Sequence, residues 1–241
     1  MHADTMAQRC WVNCRISKSA IIIFPVPFNI LRIFGFTGTG LAILAVFYPA
    51  LAYRGRCSER FSLLNHFISE LGEVGVSQAA WFFNAGLLLG GLVFLPFIIG
   101  LGILFGSLLG WLGTAAGIIA GLGVAAVGIF PINNFNLHAI AATTYFRAGL
   151  VMVFFFGLAI LFQPSGKTMV PQSANLLSLL AFLAYGAFLT FPRHKNKEDK
   201  PADVPDPEQT PERPRIEPLA SLEWLVFFST IAWLFGMTFF I

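Results

Sequence analysis

Charge is what this sequence has least of. Asp, Glu, Lys and Arg make up 11% of its 241 residues, against roughly 25% in soluble domains. None of the four occurs between Val74 and Phe146. With 56% hydrophobic residues, 27 Phe and 23 Gly, a soluble fold of this length would have too little polar surface to cover its apolar area. The clustered Lys and Arg needed to displace counterions from phosphates are missing, which excludes nucleic acid as a partner. A net charge of +3 singles out no other. Cysteine is scarce too: Cys10, Cys14 and Cys57 build no disulfide framework, and the step from Cys10 to Cys14 fits neither a zinc knuckle nor a redox motif. No cofactor is implied.

What is present is apolar run length. A hydrocarbon core about 30 Å thick takes about 20 residues of helix to cross. Six stretches reach that: Ile33–Tyr53, Trp81–Ile103, Ser107–Phe130, Ala142–Phe162, Ala174–Phe191 and Leu222–Ile241. Each must be helical, because lipid offers no partner to an unpaired backbone group. The expected fold is therefore all-α, a polytopic membrane protein with a bundle of about six transmembrane helices and an amphipathic segment in the first loop. Trp81, Tyr145 and Trp224 fall near predicted ends, where amphipathic rings favour the interface. Gly100–Ser107 reads as a tight turn. Gly102, Gly106 and Gly110, then Gly113, Gly117 and Gly121, recur at four-residue steps that allow close helix approach.

The organisation divides into residues 1–32, a basic extension; 33–191, a five-helix core with a polar loop at 54–78; 192–221, a linker; and 222–241, the sixth helix. The linker, rich in Pro, Asp and Glu (PADVPDPEQTPERPRIEP), has too little apolar surface to fold and is expected to be disordered. The run Phe34–Phe47 followed by Pro49-Ala50-Leu51-Ala52 imitates a signal sequence, but it is long enough to span, and a retained first helix is expected.

The first loop carries an unusual polar pattern. If Ser58–Glu73 is helical, Ser62, His66, Ser69 and Glu73 form one stripe, with Glu70 close by and Phe61, Leu64, Phe67 and Leu71 opposite. Such a helix can simply lie flat on the interface. Topology adds a constraint: two crossings separate this loop from Pro131–Ala141, and two more lead to the linker. All three emerge on one side. His66, Glu70 and Glu73 can then approach Asn133, Asn134, Asn136 and His138. Arg147, expected in the first turns of the fourth helix, can snorkel there or pair with Glu70 or Glu73. Asn84 reads as an interhelical hydrogen bond.

The segment His66–Gly91, HFISELGEVGVSQAAWFFNAGLLLGG, is similar to the signature of domain-of-unknown-function family 998. Members are six-helix prokaryotic membrane proteins with an I-S-[DE]-L-G element in the first loop. Here the element is Ile68, Ser69, Glu70, Leu71 and Gly72, followed by Phe83, Asn84, Gly86, Gly90 and Gly91. Phe130-Pro131 and His138 fit the same pattern. The resemblance covers roughly Arg32–Phe191. It implies a multi-pass protein of the cell membrane and, through remoter likeness to autophagy-modulating and GPI-lipid-remodelling membrane proteins, work connected with lipids. It implies no activity.

Three functions compete. A lipid headgroup or small polar ligand could sit among His66, Ser69, Glu70, Glu73, Asn84, Asn134, His138 and Arg147, with membrane lipids as the partners. The protein could instead be an accessory subunit bound to another membrane protein or to its own copies. Or His66, Glu70 and His138, with His194, could hold a divalent metal beside Ser69 and hydrolyse lipid amides or esters, although no HxxH or HxxxH pair exists. Spans without repeated ionisable groups or broken half-helices argue against a transporter. For orientation, Arg15, Lys18 and Arg32 balance Arg54, Arg56 and Arg60 around the first span. The basic linker places the polar loop in the cytoplasm, whereas the family resemblance implies that it faces outward, the orientation adopted here.

Overall fold

The apolar runs fold as hydrocarbon requires. The computed structural model describes residues 28–164, 169–192 and 213–241. It contains α1 (Phe28–Ala52), α2 (Ala80–Phe105), α3 (Leu108–Ile129), α4 (Phe135–Leu161), α5 (Asn175–Thr190) and α6 (Pro218–Phe240). All six are long and apolar enough to cross a bilayer, α5 together with the turn that precedes it. The protein is a multi-pass, all-α membrane protein. Most of the N-terminal extension and of the linker, including His194, lies outside the described residues, as does Lys167 between α4 and α5.

Three helices begin earlier than the apolar runs predict, α1 at Phe28 among them. Asn134, expected in a loop, is the N-cap of α4, its side-chain oxygen accepting from the Leu137 N–H. That cap adds two turns ahead of Ala142. Pro218 opens α6, where its fixed φ and missing N–H cost nothing. The α2–α3 turn is as short as predicted. Gly106 caps α2 with a left-handed φ of 55°, a conformation open to glycine, and Ser107 Oγ accepts from Gly110 N at 3.1 Å to start α3.

The first loop is not the predicted helix. Ser58–Phe67 runs through turns, and a 3₁₀ helix covers Ile68–Gly72 after an extended Phe67. The helical stripe would put Leu64 on the apolar side and His66 on the polar one. Instead Leu64 is 53% exposed and His66 only 2%. The cause is tertiary: beside its local turns, the loop backbone bonds to other segments, described below.

Each helix packs against its sequence neighbours, and α6 returns to α1, closing a ring. Glycine sets the spacing on the α2–α3–α4 side. A Cβ on Gly91 would lie 2.5 Å from the Gly121 carbonyl oxygen and 2.7 Å from Ala125 N. On Gly123 it would lie 2.9 Å from Tyr145 N. Backbone meets backbone there, as small residues permit in a membrane. The predicted Gly113, Gly117 and Gly121 row does lie in these contacts, against Phe156, Ile98 and Leu95 respectively. Of the three predicted interface rings, Trp81 is 70% exposed at the start of α2, but Trp224 is 3% exposed. Tyr145 lies well inside α4, which starts earlier than the apolar run.

Gly91→Ala should therefore destabilise the protein by about 1–3 kcal/mol through overpacking, read as a lower unfolding temperature in detergent. Gly40→Ala, with nothing within 4 Å of its added Cβ, should leave that temperature unchanged. Equal behaviour of the two would refute the close α2–α3 contact.

Candidate functional site

Three segments far apart in sequence meet on one side of the ring, as the crossing count requires. They are the first loop, the α3–α4 turn and the residues leading into α6. Asn133 clamps the first two: its Nδ2 donates to Val74 O at 3.0 Å and its Oδ1 accepts from Val74 N at 2.8 Å. The third is stitched on by Glu217 N donating to Leu64 O at 2.7 Å. Asn65 Nδ2 donates to Pro214 O at 3.1 Å, and Trp224 Nε1 to His66 O at 3.1 Å. Residues 213–221, expected within a disordered linker, are thus built into the cap.

Glu70 is the centre of this cap. It accepts from Phe67 N at 2.9 Å and receives both guanidinium nitrogens of Arg213, at 3.1 and 2.8 Å. Glu73 pairs with Arg56. Neither carboxylate pairs with Arg147, as the sequence had allowed. Arg147 lies on the exposed outer side of α4, away from the other candidates. Asn84 does form a structural bond, but to the loop: Nδ2 donates to Gly72 O at 3.1 Å. Gly72 must be glycine for that approach, since an added Cβ would lie 2.4 Å from Asn84 Oδ1. Asn134 serves as a helix cap.

His66 is enclosed by the Phe61 and Tyr53 rings, with centroids at 5.0 and 5.5 Å. Its Nδ1 is 2.7 Å from Asn65 Oδ1, and among the described residues its buried Nε2 has no partner. His138 Nδ1 is 2.9 Å from Phe130 O. Because a carbonyl only accepts, Nδ1 carries the proton and Nε2 presents a lone pair. Among the described residues no three His, Cys, Asp or Glu side chains gather as a metal site would need.

Beneath the cap the ring surrounds a cavity of about 150 Å³ with an open mouth. Its walls are mainly apolar, and Gly90, where an added Cβ would meet nothing within 4 Å, leaves room that a side chain would fill. From His138 to Met152, both in the lining, is about 21 Å along α4 at 1.5 Å per residue. Ser69, His138 and Glu223 contribute polar groups to the lining. One Glu223 oxygen accepts from Ile68 N at 2.8 Å; among the described residues the other has no partner. Further polar groups line the wall: Tyr185 OH donates to Tyr145 OH and Thr230 Oγ1 to Tyr185 OH, each at 3.0 Å. Among the described residues no Lys or Arg lines the cavity.

Sequence reasoning brought Ser69 and His138 to this cavity but missed Glu223, Tyr185 and Thr230. Glu223 left a signal: it is the lone carboxylate in the sixth apolar run, and ionisable groups in spans mark function. Arg213 left none, sitting in a segment whose composition reads as unstructured.

The family model described as "Protein of unknown function (DUF998)" matches residues 38–239, from within α1 to within α6. No curated protein and no solved structure matches the chain.

Burial holds the His66 imidazole below its ordinary value, against the opposing pull of Glu70. The unfolded chain takes up that proton near pH 6.5, and the folded protein only at lower pH. Stability is therefore complete above about pH 7 and falls as the pH drops through the ordinary histidine range. The unfolding temperature in detergent should drop between pH 7.5 and 5.5, and His66→Gln should remove that part of the drop. An identical pH profile in the variant would show that His66 is solvated.

Proposed function

The chain belongs to the DUF998 family, whose description carries no activity, and from the site itself we propose that it holds a membrane amphiphile inside the helical ring. The apolar chain lies in the cavity and the head group sits at the polar residues under the cap. One observation carries this reading: a long, apolar cavity with the carboxylate of Glu223 in its lining. Pockets of this kind, apolar with a few placed polar groups, suit ligands with one polar end. The charges favour one class of head group. Arg56 and Arg213 are engaged by Glu73 and Glu70, and among the described residues no Lys or Arg faces the cavity. An ammonium head would satisfy Glu223, Ser69 and His138 Nε2 with its donors, whereas a head group of net negative charge would meet a carboxylate.

Native mass spectrometry of protein reconstituted with phosphatidylethanolamine or phosphatidylglycerol tests this. Phosphatidylethanolamine should be retained in preference, and Glu223→Gln should lower its retention about tenfold, the worth of one charge-assisted hydrogen bond. Gly90 offers a second variant: it lines the cavity and an added Cβ would touch nothing within 4 Å. Gly90→Leu should fill the space, expel lipid and leave the unfolding temperature intact. Lipid retained equally by wild type and Gly90→Leu would sink the proposal.

We place the protein in the cell membrane with the cap facing outward. A green fluorescent protein fused after Ile241 should then fluoresce, and alkaline phosphatase fused there should be inactive; the opposite result would reverse the orientation.

A further inference from the structure

Arg147 does not belong to the cavity, and its depth gives it a different meaning. Across the α3–α4 contact an added Cβ on Gly123 would meet Tyr145, and one on Gly117 would meet Met152. Arg147 therefore lies level with Gly121, and Gly121 abuts Gly91 of α2. Two exposed tryptophans mark the membrane surfaces: Trp81, at the cap end of α2, and Trp111, at the opposite end of α3, 70% and 47% exposed. Each is ten residues from its glycine, about 15 Å along the axis. Half of a 30 Å hydrocarbon core is the same distance. Arg147 is thus at the bilayer midplane, and it is exposed. Its three-methylene stem is too short to carry the guanidinium to either headgroup layer. Among the described residues the ion pairs are Arg56–Glu73 and Arg213–Glu70, so Arg147 has no counter-charge of its own.

A charge held at that depth is costly even on insertion scales, and such residues pair with one another across helices. The surface around Arg147 is shaped for a helix. Thr144 lies one turn nearer the cap and forms, with Ile140 of α4 and Leu122, Gly123 and Ala126 of α3, a shallow groove. Small residues in such a groove admit a close backbone. A second copy cannot supply the missing charge: Glu223 is the only Asp or Glu within the six helices, and it lines the internal cavity.

We infer that the outer α3–α4 face docks a transmembrane helix of a different membrane protein, one with an Asp or Glu at its midplane that pairs with Arg147. This interface is independent of what the cavity holds.

A photo-crosslinking amino acid at Thr144 of the full chain, in membranes of the cells that make it, tests this. A cross-link to one membrane protein with a carboxylate within a span is expected. It should fall at least tenfold with Arg147→Leu, fall equally when that carboxylate is made an amide, and return when the two charges are exchanged. Arg147→Leu removes a lipid-level charge, so unfolding temperature in detergent should not fall and serves as the control for folding. Cross-links confined to lipid would assign Arg147 to a membrane defect and overturn the inference. Cross-links confined to a second copy, or a partner whose capture survives Arg147→Leu or is not restored by the exchange, would overturn it equally.

Discussion

Glu70 satisfies three donors at once: the Phe67 N–H that starts the 3₁₀ helix, and two nitrogens of Arg213 from the segment before α6. The rest of the cap depends on it. Without the Phe67 bond the short helix loses its first anchor, and with it the position of Ile68 N, which Glu223 accepts from. Without Arg213, a buried carboxylate is left uncompensated, which costs more than the ion pair contributes when intact. Glu70 thus joins local backbone geometry, the docking of α6 and the orientation of a cavity residue through one side chain.

Adjacent glycines of α2 divide two tasks that compete in a helical ring. Gly91 faces the α3 backbone, where a methyl group would collide, and so lets two helices touch. Gly90 faces open space in the cavity lining. Dense packing on one side and empty volume on the other come from a turn of 100° between neighbouring residues. The same contrast recurs where Gly149 admits Tyr185, whose hydroxyl then meets Tyr145 and Thr230. Hydrogen bonds inside the membrane fix where these hydroxyls stand, since the surrounding hydrocarbon offers no other partner.

Run length alone made the six helices legible, because the bilayer imposes it. The Gly113, Gly117 and Gly121 row of α3 was legible for the same reason, since in lipid close approach needs small residues. Gly102, Gly106 and Gly110 form no row, because Gly106 caps α2 and divides them between two helices. The loop was misread where a pattern of four polar residues at helical steps stood in for long-range bonding. Leu64 O, His66 O and Ile68 N are spoken for by Glu217, Trp224 and Glu223, and no local signal announces partners about 150 positions away. The depth of Arg147 was hidden by Asn133, Asn134 and Asn136, which read as loop although Asn134 is a cap. Shifting the start of α4 by two turns moves Arg147 from the headgroups to the midplane. Glu223 was readable as a charge in a span, and Arg213 was not readable at all.

The cap is also a statement about order of assembly. Its bonds from Asn65 to Pro214 and from Trp224 to His66 join residues separated by 149 and 158 positions. A chain emerging in sequence threads five helices before either can form. Until α6 arrives, the ring has a gap between α5 and α1, and the loop carbonyls face water. The last helix therefore completes the wall and the roof together, so that the cavity takes shape in the same event that completes the fold.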